Sequence, residues 1–174
     1  MSDQATPPPT WLPAEIGLDG TWDEIRNRLD TVFQRDSAQG LQFRGLPVWH
    51  DQRRLEDHLP EGFWHITHRD QWLVDPMTRR KEKKRIFDPG RSRRLAWLKP
   101  MLEHPLAPAV LTWDFIEDDG RESTYVWLRK PGYLAVLARQ NTRTGCVYKI
   151  ISAYSVDYVD KVRQLEDKYR RRKV

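Results

Sequence analysis

The sequence predicts an α+β fold: N-terminal helices, then a four-stranded antiparallel β-meander, then a C-terminal helix. Three observations carry that expectation. Apolar residues recur at helical spacing behind a capping box near the N-terminus. After Pro105 the apolar period changes from about 3.6 to about 2. The strand-like runs beyond that point are joined by links so short that neighbouring strands must run antiparallel.

Taken in order, the first helix is expected over residues 22–34. Thr21 and Glu24 form the capping box, and Trp22, Ile25, Leu29, Val32 and Phe33 share one face, with Ser37 to Gly40 ending the helix. Two short extended pieces, 41–44 and 47–50, flank Gly45, and 53–59 has room for one or two helical turns. Gly62-Phe63-Trp64-His65-Ile66-Thr67, rich in aromatic and β-branched side chains, predicts a strand. The polar, basic stretch from His68 to Lys84 predicts a loop or a mobile helical segment. A second helix begins at Asp88-Pro89, because Asp suits an N-cap and Pro the first helical position. Leu95, Leu98, Met101 and Leu102 form its apolar stripe, Pro100 kinks it and Pro105 stops it. The four strands fall at 110–116, 123–129, 133–139 and 146–154. Asp118-Asp119-Gly120 is a hairpin signal, Lys130-Pro131-Gly132 suits a type II turn, and Asn141 to Gly145 makes a five-residue loop. The last helix, about 157–169, carries Tyr158, Val162, Leu165 and Tyr169 on one face. With the helices on one face of the sheet, the other face is expected to lie open as a binding floor.

Length and composition fit one packed domain. Of 174 residues, 39% are hydrophobic and 8 are Trp, too much apolar mass for a disordered chain. Residues 1–13, with Pro7-Pro8-Pro9, are expected to form a disordered or extended arm, 14–160 the single domain, and 161–174 a basic helix end and tail. No apolar run approaches the roughly 20 residues that span a bilayer, and the N-terminus lacks the pattern of a signal peptide. The single cysteine, Cys146, agrees with a reducing cytoplasmic setting. One Cys and five scattered His give no zinc spacing, so no metal or other cofactor is expected. The net charge of +5 is unevenly spread: ten Lys or Arg face only Glu82 and Asp88 within 79–99, and seven face only Glu166 and Asp167 within 161–174. The rest of the chain is therefore acidic on balance, and the dipolar field steers a polyanion, most naturally RNA, to one face. The plainer alternative for either run is a solvated helix face or a frayed end.

Three clusters have the chemistry for metal-free RNA cleavage. That reaction needs a base for the 2′-OH, an acid for the leaving 5′-oxygen and cations around the pentacovalent phosphate. Trp64-His65-Ile66-Thr67-His68-Arg69 supplies two imidazoles and a guanidinium, of which one His has the alternative of a hydrogen-bonded core residue. Asn141 to Tyr154 supplies Arg143 and Thr144 in a loop and Ser152 and Tyr154 on one strand face, a face expected to continue through Ile150 and Tyr148. Arg91, Arg93 and Arg94 stand near a helix N-terminus that attracts phosphate. The acidic group Asp114, Glu117, Asp118 and Asp119 sits at a hairpin tip, where water is its natural partner, and Asp75, Glu82 and Lys84 are too closely spaced, in too weak a strand former, for a nuclease triad. His50, His58 and His104 stand alone and are expected to be structural, while Trp22, Trp97 and Trp127 lie in core-like patterns.

On His65-Ile66-Thr67-His68, the Arg91-Ser92-Arg93-Arg94-Leu95-Ala96-Trp97 helix, and Thr142-Arg143-Thr144-Gly145 running into Ser152-Ala153-Tyr154, the chain resembles phage- and mobile-element-associated members of the barnase–EndoU–colicin–RelE (BECR) ribonuclease superfamily. The resemblance spans roughly residues 43–158. It implies one or two helices before a four-stranded meander with the active site on its open face. It also implies His65 or His68 as general acid or base, Arg91 or Arg94 on the phosphate, and Ser152 with Tyr154 lining it. Lys99 would be the counterpart of an EndoU-type lysine, and Arg69, Arg93, Arg143 and Thr144 would join Arg91 in holding tRNA or mRNA. Many members are toxins, so a cognate antitoxin or inhibitor protein is an implied partner. The expected function is thus a toxin-like, metal-independent endoribonuclease. The competing expectations are a non-catalytic nucleic-acid-binding module and an interaction subunit that docks on an acidic partner through its basic tail.

Overall fold

The structure, a computed structural model, describes residues 7–54 and 58–173. It is an α+β fold with a helix near each end of the described chain. The first helix, α1 (Trp22–Gln39), starts at the expected capping box, with Thr21 and Glu24 bonding reciprocally. It runs past Gln34 because Leu29, Phe33 and Asp36 continue one buried face, and it ends at Gly40, whose φ of 75° closes the last turn. Strands β1 (Leu41–Phe43) and β2 (Leu46–Trp49) form a small hairpin around Gly45. The helical turn expected across 53–59 falls largely on residues 55–57, outside the described residues; Arg54 and Pro60 meet there in an isolated bridge.

Two expectations fail next. Residues 62–67 are not a strand but part of helix α2 (Glu61–Thr67). Phe63, Ile66 and Thr67 are buried, which is i, i+3, i+4 spacing rather than alternation. Gly62 lets the helix lie against the His50 side chain, since a Cβ there would fall 2.7 Å from it. The basic stretch after it is not a loop: β3 (His68–Val74) and β4 (Lys81–Phe87) pair in register as an antiparallel ribbon of their own. Asp75 nucleates its turn by accepting from the backbone N–H groups of Met77 and Thr78 at 2.7 and 2.8 Å.

The helix expected from Asp88 is three short pieces: α3 (Pro89–Arg93), a 3₁₀ turn (Leu95–Trp97) and α4 (Leu98–Glu103). Asp88 caps the first as expected. Strands β5 (Val110–Ile116), β6 (Glu122–Leu128), β7 (Tyr133–Thr142) and β8 (Gly145–Ser155) form the predicted meander, and α5 (Val159–Arg170) comes after it. The sheet, however, has six strands in the order β1-β2-β8-β7-β6-β5, and β2 joins β8 in parallel. The expected five-residue loop is tighter, because Thr142 pairs with Gly145. The Lys130–Pro131 peptide is cis, and Gly132 has the positive φ of 97° expected of a turn glycine.

The expectation of an open sheet face also needs correction, since both faces are packed. Leu29, Phe33, Phe63, Ile66, Leu98, Met101 and Leu102 from the helices cover one face, over Val126, Leu128, Ala135, Leu137 and Ile150. On the other, α5 lays Leu165, with Val162 and Tyr169, over Trp113, Tyr125, Trp127, Leu134 and Val136. Helix α5 is amphipathic, and burying its stripe on five large side chains is more favourable than leaving them wet. Trp97 and Trp127 are core residues as expected, whereas Trp22 is 41% exposed. Residues 11–13 lie against the domain: Trp11 stacks on His104, and the Pro13 carbonyl accepts from Trp97 Nε1 at 2.8 Å.

Candidate active site

The sheet register carries one irregularity, and it organises the site. Pairing passes from Leu137 with Ile150 to Val136 with Ser152, so Ile151 is the extra residue of a β-bulge. Parallel pairing with β2 ends at Lys149, so this part of β8 has a free edge. Helices α2 and α3 close over that edge. His65 reaches it: its Nε2 bonds the Ile151 carbonyl. A carbonyl only accepts, so Nε2 carries the proton and Nδ1 is the basic nitrogen of the neutral ring. The bulge also switches faces. Tyr148 and Ile150 belong to the first core, while Ser152 and Tyr154 pair with Val136 and Leu134 of the second. The expected sharing of a face by Ser152 and Tyr154 holds, but that face does not continue through Ile150 and Tyr148.

Arg91 ties these elements together. Its Nη1 donates to the carbonyls of His65 and His68 at 3.1 and 3.0 Å, two free acceptors at the end of α2. Its Nε faces Asp88 at 3.4 Å, and its guanidinium lies 5.4 Å from the centre of the Tyr154 ring. Lys161 of α5 brings a second cation to 5.5 Å from the same ring. His65, Tyr154, Arg91 and Lys161 therefore gather along the stretch of β8 from Ile151 to Tyr154, on which Ser152 also lies. Beside it a cleft of about 230 Å³ is lined by Asp51, Glu61, His65, Lys149 and Ile151. A larger cleft of about 520 Å³ lies between α1 and β2 and shares His50 with the smaller one, but His65 and Ile151 do not line it.

The other expected residues are placed differently. His68 is buried, edge-on to Trp22, Trp64 and Phe87, with Nδ1 2.9 Å from the Thr67 hydroxyl. Burial, and then the Arg85 charge, push its pKa down to about 4, so it is a neutral core residue and does not join His65. The Arg94 guanidinium is spent on Glu15, Asp157 and the Gly132 carbonyl. Arg93 faces Glu15 at 3.9 Å. Lys99 pairs with Glu103 on α4, outside the site. Arg143 and Thr144 form the tip of the β7–β8 hairpin, at the far end of β8 from Ser152 and Tyr154. Arg69 is exposed on β3, next to His68. Of the isolated histidines, His50 is half-buried against Ser37, burial pushing its pKa down, and His104 bonds the Pro100 carbonyl. The acidic hairpin group is neutralised rather than convergent: Arg44 holds Asp114, Lys168 holds Glu117 and Arg121 holds Asp119. Among the described residues no three His, Cys, Asp or Glu side chains converge as a metal site, and no helix is long and apolar enough to cross a membrane.

Sequence reasoning missed Lys161, which only the packing of α5 brings to Tyr154. It also missed the bulge, although the adjacent pair Ile150-Ile151 breaks strand alternation and is a visible signal for one. Comparison of the chain with known protein families, with curated proteins and with solved structures gives no match.

Proposed function

We propose that this chain is a metal-independent endoribonuclease acting by transesterification at the bulged edge of β8. The observation that carries the reading is the fixed orientation of His65, with Nε2 on the Ile151 carbonyl and Nδ1 left basic, at the stretch of β8 where Arg91 and Lys161 stand by the Tyr154 ring. In the reaction His65 Nδ1 takes the 2′-OH proton as the 2′-oxygen attacks phosphorus. Lys161, with Arg91 behind Tyr154, offsets the charge that builds on the phosphate. The P–O5′ bond breaks, the Tyr154 hydroxyl gives its proton to the 5′-oxygen, and a 2′,3′-cyclic phosphate remains. Ser152 bonds a non-bridging oxygen. Arg91 is first a positioning residue, because its guanidinium holds the end of α2 that presents His65. The target is tRNA or mRNA in a cytoplasmic setting, and a cognate inhibitor protein fits the toxin-like reading.

The test is RNA incubated with the protein in EDTA, with the fragment ends mapped. Cleavage leaving 2′,3′-cyclic phosphates is expected, and His65→Ala should lower the rate by about 10²- to 10⁴-fold with RNA affinity retained. Cleavage by His65→Ala at the wild-type rate overturns the assignment. A second reading, RNA binding without turnover, is favoured by the packing of α5 on the sheet face expected to be open. Undiminished RNA binding with no cleavage in any buffer would select it.

A further inference from the structure

Among the described residues the β3–β4 ribbon is anchored only at its base. His68 and Phe87, the pair nearest the domain, pack against Trp22, and Arg85 bonds Glu61 of α2 at 2.5 and 2.9 Å. Beyond that pair the strands are exposed almost throughout. An isolated two-stranded ribbon is marginal, and exposing large apolar groups on one is unfavourable without a partner. This one leaves Trp72 66% and Met77 90% exposed.

Register and charge give the partner's chemistry. Cross-strand pairs share a face, so Asp70 with Arg85, Trp72 with Lys83 and Val74 with Lys81 form one row. That row starts beside the cleft of His65: Arg85 Nε lies 3.8 Å from the Asp70 carboxylate, and Arg85 bonds Glu61, which lines that cleft with His65. Trp72 stands two residues further out on the same face, roughly 7 Å at strand rise, about one nucleotide. Between 69 and 85 seven Lys or Arg face Asp70, Asp75 and Glu82. Arg69, Arg79, Arg80 and Lys81 have no carboxylate partner among the described residues. An exposed indole among unpaired cations suits an unpaired base and its phosphates better than it suits an apolar protein surface.

We propose that the Trp72 face of the ribbon holds a single-stranded stretch of RNA leading into the His65 site, with one base on the Trp72 indole and flanking phosphates on Lys81 and the tip cations Arg79 and Arg80. This rests on the endoribonuclease reading for the direction of the strand, but binding and cleavage are separable. Labelled 2′-O-methyl oligoribonucleotides lack the free hydroxyl that transesterification needs, so they report binding alone. By fluorescence anisotropy Trp72→Ala should bind the single strand roughly tenfold more weakly, and Trp72→Phe within about threefold of wild type. A duplex of the same sequence should bind more weakly than the single strand, with little response to Trp72→Ala. Binding unchanged in Trp72→Ala overturns the proposal, as does a wild-type preference for duplex. A change in the mass of a self-associated species, with RNA affinity unmoved, assigns the ribbon to protein docking and also overturns it. Loss of binding in Trp72→Ala of a protein that cuts no RNA supports the ribbon and sinks the catalytic reading. Cleavage with intact Trp72→Ala binding does the reverse.

Discussion

His65 and His68 lie three residues apart, yet they inhabit different dielectrics. At the end of α2 the first turns toward β8, while the second passes beneath Trp64 into the core. The residue types at this site were legible in the sequence, since an imidazole, a serine, a tyrosine and arginines were all expected there. Which imidazole is available was not, because burial of His68 depends on Trp22 and Phe87, residues 46 positions before and 19 after it on other elements. Its burial has a consequence in acid. The unfolded chain takes a proton at His68 near the ordinary value of 6.5, while the folded chain resists it until about 4. Stability from this group is therefore complete well above 6.5 and falls as pH drops from 6.5 toward 4, by an amount on the order of 3 kcal/mol. His68→Phe keeps the aromatic contacts and has no proton to take, and the Thr67 hydroxyl keeps its bond to the Phe63 carbonyl. Denaturant melts at pH 7.5 and pH 5 should show a smaller loss of stability for His68→Phe than for wild type, with RNA cleavage at pH 7.5 unchanged. Equal losses in the two proteins would place His68 in solvent and make it a catalytic candidate again.

Helices with caps and strands with tight turns came out of the sequence cleanly. Thr21 with Glu24, Asp88 before Pro89, and the Asp119-Gly120 turn all do locally what their side chains favour. Elements whose identity depends on what they meet were misread. Gly62 to Thr67 has strand-forming side chains, but Phe63 and Ile66 must both enter the core beneath α1, and only a helix puts them on one side. Residues 69–85 lack an apolar period because neither face of the ribbon is packed beyond its base. Periodicity reports burial, so it is silent there. The Asp75-Pro76 pair was the available turn signal. Helix α5 was recognised but not its place, because its stripe matches either a free amphipathic helix or a lid on the second sheet face. Leu165 is the centre of that contact and is 2% exposed. Leu165→Ala should cost about 2–4 kcal/mol in chemical denaturation, through lost burial and the cavity left over Trp127 and Leu134. It should also slow RNA cleavage beyond the loss of folded protein, since α5 carries Lys161 to Tyr154. A loss under about 0.5 kcal/mol would mean that α5 packs too loosely to set that position.

Across the molecule, two basic runs of similar appearance in the sequence have different electrostatic standing. In the C-terminal run the cations are largely paired: Arg163 with Asp160, Lys168 with Glu117, Arg171 with Asp167 and Lys173 with Glu122. Arg172 lies over the Tyr169 ring, 4.2 Å from its centre. Lys168 and Lys173 stitch that run to the β5–β6 hairpin, and four of its seven cations are paired with carboxylates among the described residues. The ribbon tip differs, for Arg79, Arg80 and Lys81 form no ion pair with a carboxylate among the described residues. Net charge could not reveal this, because pairing across elements depends on the sheet order and on the packing of α5. Counterion release tracks the unpaired cations that meet phosphate, at a slope of about −0.7 in log K against log salt for each contact to a single strand. Replacing Arg79 and Arg80 together by Gln should therefore flatten the salt dependence of single-stranded RNA binding by about 1.4 in that slope. Replacing Arg171 and Lys173 by Gln should leave it nearly unchanged and instead lower thermal stability slightly, since exposed pairs contribute little. The opposite result, a steep slope that depends on Arg171 and Lys173 and ignores Arg79 and Arg80, would move the RNA path from the ribbon to α5 and remove the reason for a strand of RNA to approach His65 from β3.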